Sequence, residues 1–153
     1  MIQHHAQALK MVDMAMGRDL DPRVVQLTEQ IRTSQVSEVE KMVDWLTAWD
    51  KPVPATVQDH ADADGDMGMG GDMETNDMPG MMTNREFDDL AAAKGEEFQT
   101  MWLEMMVQHH EAALDMAATE EADGEFADAK ALAKSIEFSQ QEEIDLMQGL
   151  LDS

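Results

Sequence analysis

At 153 residues the chain has room for one domain with a real core, and its scarcity of aromatics and abundance of Ala, Leu, Met and Glu favour helix over sheet. A net charge of −23 argues against nucleic acid and anionic membranes as partners, since like charges repel. The absence of cysteine removes disulfides and thiolate metal sites, and no apolar run is long enough to span a bilayer.

Met1 to about Met16 reads as a helix, with Gly17 near its stop. Asp21-Pro22 then supplies a cap followed by proline at the first helical position, and Val24, Leu27, Ile31, Val39, Met42, Trp45 and Leu46 trace an amphipathic helix to about Trp49. Residues 51–82 carry Gly, Asp, Met and three prolines without periodicity, which predicts a flexible linker. Thr83-Asn-Arg-Glu86 has the spacing of a capping box, so a short helix is expected to about Lys94. A long helix follows Gly95, Asp123-Gly124 makes a turn, and a last helix runs from about Glu125 to Leu151. The expectation is an all-α single domain over 1–153: hairpin 1 (1–50), linker (51–82), then a short helix and hairpin 2 (83–153). Two hairpins joined this way make a four-helix bundle, and the long linker permits a ferritin-like crossover.

The two hairpins are copies. Met1-Ile-Gln-His4-His5 returns 105 residues later as Met106-Val-Gln-His109-His110, without a gap. Ala8 and Met11 recur as Ala113 and Met116; Gln35, Glu38 and Met42 recur as Gln140, Glu143 and Met147. The copies differ in one respect. About eleven helical residues precede Met106, whereas nothing precedes Met1, so an upstream segment, with any signal peptide, is expected to be missing from this chain. Trp45 and Trp49 then lack their cover, and a second copy of the chain is a candidate to supply it.

Met1, His4, Ala8 and Met11 fall on one helical stripe, repeated by Met106, His109, Ala113 and Met116. On the partner helices Glu38 and Glu143 interrupt apolar stripes of seven-residue spacing, and a buried carboxylate needs a partner. A turn near residues 18–21 would set His4 opposite Gln35 and Met1 opposite Glu38. The same reckoning sets His109 opposite Gln140 and Met106 opposite Glu143. His4 and His109 should therefore point inward, each within hydrogen-bond reach of Glu or Gln, with His5 and His110 at the edge.

One buried histidine would be read as structural. Two His-His pairs, each with a methionine three residues upstream, shift the reading toward metal. Di-iron bundles place Glu-x-x-His on facing helices. Here methionine takes the glutamate's place, and soft sulfur favours Cu(I) or Ag(I) over iron. The expected metal residues are Met1, His4, His5, Met11, Met106, His109, His110 and Met116, supported by Gln35, Glu38, Gln140 and Glu143. His60, Met67, Met69, Met73, Met78, Met81 and Met82 form a second, linker-borne set that could collect soft cations.

These paired Met-x-x-His-His-x-x-Ala-x-x-Met and Gln-x-x-Glu-x-x-x-Met blocks, with Pro79-Gly-Met-Met-Thr83, resemble the domain of unknown function 305 family. The resemblance implies a ferritin-like bundle, an exported protein and an association with copper binding and tolerance. The expected function is extracytoplasmic copper sequestration, with Cu(I) favoured and Cu(II) or Ag(I) as alternatives, and without catalysis. A copper or di-iron oxidase and a metal-free interaction module with a buried His–Glu network are the rivals.

Overall fold

The computed structural model describes residues 1–56 and 80–153; His60, Met67, Met69, Met73 and Met78 lie outside the described residues. Within them the chain forms five helices: α1 (Ile2–Ala15), α2 (Pro22–Ala48), α3 (Asn84–Ala92), α4 (Gly95–Asp123) and α5 (Ala127–Leu151). The local signals operate as their chemistry requires. Asp21 accepts from the Arg23 amide with Pro22 at the first position of α2. Thr83 and Glu86 satisfy each other's backbone donors at the start of α3.

α1 and α2 form one hairpin, α4 and α5 the other. α1 runs antiparallel to α4, because His4 meets His109 while Trp102 Nε1 donates to the Met11 carbonyl at 2.8 Å. It is also antiparallel to α2, through His5–Glu38 and Arg32–Asp13. Hence α2 and α4 are parallel, and the chain between them must return along the bundle's length. At 1.5 Å per residue the 27-residue α2 is about 40 Å long. A crossover of this kind is the ferritin-like connection.

The core at one end of the bundle joins Met11, Leu27, Phe98, Trp102, Leu103 and Met147. Its counterpart at the other end is thinner, joining Ala117, Leu132, Ala133 and Ile136. Met11 and Met147 are fully buried, whereas their repeat partners Met116 and Met42 line an open groove of about 660 Å³. Trp45 and Trp49 line it too, and the cover they were expected to lack is partly furnished by Phe126, whose ring stands edge-on to both at 5.3 and 5.0 Å.

The linker boundary is corrected at its C-terminal end. Residues 80–82 are a fixed strap across α1 and α4, not flexible chain. Gln7, 2% exposed, donates to the Met82 carbonyl at 2.9 Å and accepts from the Met82 amide at 2.7 Å. Met82 itself joins the core. Gly80 has φ +76°, and a Cβ there would overlap that of Ala112. Gly80→Ala therefore combines a left-handed backbone penalty with overpacking, and is expected to destabilise by about 2–4 kcal/mol. Urea unfolding measures it; a loss below about 0.5 kcal/mol would mean the strap is not held where α4 runs.

Candidate metal centre

The helical spacing that sets His4 and His5 side by side in the first turn of α1 also separates their roles. Adjacent residues on a helix point about 100° apart, so one ring of each pair faces the opposite hairpin and the other faces its own partner helix. His4 and His109 face each other. Their rings stack with centroids 3.6 Å apart and planes inclined at 28°. Both residues are fully buried, and neither ring nitrogen of either has a hydrogen-bond partner.

His5 and His110 turn toward α2 and α5. His5 Nε2 lies 2.8 Å from Glu38 Oε2, and His110 Nε2 lies 2.7 Å from Glu143 Oε2. His5 Nδ1 also approaches the Met1 carbonyl at 3.2 Å, while His110 Nδ1 is unpartnered. The sequence expectation is thus corrected in two places. The glutamates serve the second histidine of each pair, not the first, and His5 and His110 are fully buried rather than at an edge.

The register differs from the expected one by about a turn: Glu38 is opposite His5, not Met1. The connection between α1 and α2 explains this. Residues 16–21 turn at Met16–Gly17 and then run on, tethered over α3 and α4. Arg18 donates to the carbonyls of Met14, Ala93 and Ala91, and the Asp21 amide donates to Gln99. α2 accordingly starts beyond the end of α1. Gln35 and Gln140, expected opposite His4 and His109, are buried with side-chain nitrogen and oxygen both unpartnered.

Met1 and Met106 stand one turn from His4 and His109 on the same stripe. Met106 is fully buried, and Met1 packs at the groove. Met11 and Met116 are two turns away, roughly 10 Å along their helices, and since α1 and α4 are antiparallel they lie toward opposite ends of the bundle. The eight expected residues therefore divide into a central set and two outlying methionines. Of the linker set, Met81 and Met82 are buried beside α1 and α4. Gln7 went unnoticed in the sequence, although it was visible as a break in the repeat, where its counterpart is Ala112.

Burial dominates the electrostatics. It lowers His4 to about 3, with a smaller contribution from neighbouring His5. It holds His109 well below the ordinary imidazole range, with His4 the next cause. Both are therefore neutral, the form that carries a lone pair for a metal. Among the described residues no group of three or more His, Asp and Glu is arranged to hold a metal ion. A hard-ion or di-iron carboxylate centre does not fit this donor set. A soft ion of low coordination number does: unpartnered imidazole nitrogens are present, and thioethers stand one turn away.

The domain of unknown function DUF305 matches residues 1–151. Among curated proteins, none matches the chain. Solved structures similar to it include a DUF305 fragment from Deinococcus radiodurans, at 25% identity, TM-score 0.78, covering 99% of this chain and 89% of that one. A DUF305 protein of Streptomyces coelicolor described as secreted is 27% identical, TM-score 0.79, with 99% and 85% covered. CopM in its Cu(II)-bound form is 27% identical, TM-score 0.75, with 99% and 90% covered. CopM in its Cu(I)-bound form is 25% identical, TM-score 0.73, with 99% and 89% covered. No described helix is long and apolar enough to cross a membrane. With the match running over nearly its whole length, and the bundle shared with these structures, the chain belongs to the DUF305 family.

Proposed function

We propose that this protein is an exported copper-binding protein that sequesters the ion rather than transforming a substrate. The observation that carries the reading is the set of four unpartnered ring nitrogens on the buried His4 and His109. Buried polar atoms ordinarily find partners, and leaving one unmade costs about 1–3 kcal/mol. A core that holds several such atoms at one level has been kept for something that binds there. His4 and His109 supply the imidazole nitrogens, and Met1 and Met106, one turn along the same stripes, supply sulfurs. Glu38 and Glu143 orient the buried His5 and His110 beside them. The copper-bound forms of the similar protein CopM support the choice of metal. The Streptomyces coelicolor relative supports export.

Because the donors are imidazole and thioether, Cu(I) and Ag(I) are expected to bind in preference to Fe(II), Mg(II) and Ca(II). Competition between Cu(I) and Fe(II) under anaerobic, reducing conditions, followed by desalting and metal analysis, tests this. Copper should be retained and iron lost. Iron held as firmly as copper, with carboxylate ligation in its spectra, would replace sequestration by the ferritin-like oxidase reading.

A further inference from the structure

The repeat supplies two complete sets of groups to the centre of the bundle. Each half contributes one buried imidazole with both nitrogens unpartnered (His4, His109) and one buried glutamine whose amide is unpartnered (Gln35, Gln140). Each also contributes one carboxylate bonded to the neighbouring histidine (Glu38 on His5, Glu143 on His110). Whether one ion or two can use these sets depends on how the two free imidazoles are oriented.

An imidazole nitrogen gives its lone pair in the plane of its ring. An ion on that nitrogen therefore lies in the plane, about 2.0–2.1 Å from the nitrogen and about 3 Å from the ring centroid. The His4 and His109 planes are inclined at 28° with centroids 3.6 Å apart. Planes so disposed meet only about 7 Å from either centroid, more than twice the distance at which a bound ion sits. No single position is in the plane of both rings at bonding distance. The stack thus presents its nitrogens side by side, in parallel, and not converging.

From this geometry we infer that the bundle centre takes two soft monovalent ions, one per repeat half, and not one ion clamped between the histidines. The inference rests on the copper-binding reading and specifies its stoichiometry. One ion is held by His4 with the thioether of Met1 one turn away, the other by His109 with that of Met106. Each imidazole that binds through one nitrogen keeps an N–H on the other. Two like charges in one core repel, and this is offset by a carboxylate behind each site, buried Glu38 in one half and half-buried Glu143 in the other. Low coordination by one nitrogen and one sulfur suits Cu(I) and Ag(I), and would not satisfy a hard divalent ion.

The test counts tightly held Cu(I) by native mass spectrometry and by titration against a competing chelator under anaerobic, reducing conditions. The full chain is compared with His4→Leu, His109→Leu and the double variant. The double variant measures ions bound by sulfurs elsewhere. Above that background the unsubstituted protein should hold two ions and each single variant one. X-ray absorption of the unsubstituted protein, loaded to that count, should give one imidazole per copper in the central sites, a readout independent of how the variants fold. One central ion with two imidazoles, lost in both single variants, would overturn the two-ion arrangement while leaving copper binding in place. No copper above background would overturn the copper reading itself.

Discussion

Replacing His4 and His109 together by leucine is expected to abolish copper binding at the bundle centre while leaving the metal-free protein as stable as before, or more so. The two effects have one cause. The rings are fully buried with four nitrogens unpartnered, so each unmade hydrogen bond weighs against the fold, by about 1–3 kcal/mol. An apolar side chain of similar size removes that penalty and retains most of the packing, at the loss of a ring stack of about 0.5–1.5 kcal/mol. Even at the low end of the hydrogen-bond range the four atoms cost about 4 kcal/mol, so metal-free stability is expected to rise by about 3 kcal/mol, less any packing mismatch. The loss of copper affinity should exceed the ~10–100-fold typical of removing a group that merely supports a ligand. Urea unfolding without metal, with chelator competition for affinity, reads both quantities. A double variant that loses several kcal/mol of stability yet keeps its copper would show that the histidines are structural.

Acidification of the metal-free protein should unfold it from the same place. His4 is held at about 3 by burial and His109 well below its usual value, whereas in the unfolded chain both titrate near 6.5. The unfolded state therefore binds more protons between those limits. Stability contributed by keeping the rings neutral is fully present above pH 6.5 and is lost as the pH falls toward the folded-state values. Each ring contributes a slope of up to about 1.4 kcal/mol per pH unit, so the pair can remove about 4 kcal/mol by pH 5. Urea unfolding from pH 7.5 to 4.5 should show this fall, and the His4→Leu/His109→Leu variant should flatten it. Bound Cu(I) should shift the fall to lower pH, because an ion on the lone pair excludes the proton. Equal pH dependence in the two proteins would mean that the buried rings are not its source.

The helical hairpins, their duplication and the caps that start α2 and α3 were legible in the sequence, because each rests on residues close together in the chain. Asp21-Pro22 and the Thr83–Glu86 box act within one turn. The stripes that carry His4, His109, Glu38 and Glu143 inward follow from the helical period alone. The division of labour within each His-His pair was not legible. Adjacent residues differ by about 100° around a helix, and in a four-helix bundle both directions are interior, one facing the opposite hairpin and one facing the partner helix. Only the docking of α1 on α4 selects His4 and His109 for the stack and leaves His5 and His110 to the glutamates. The vertical register was likewise undetermined by local pattern. It is set by the run of residues 16–21 tethered through Arg18 and Gln99 to groups more than seventy residues away. The hold of Gln7 on Met82 spans a similar distance. The chain's own periodicity therefore determined which side chains go inside, and tertiary packing decided which of them meet, since meeting depends on the relative rotation and height of helices that no residue spacing encodes.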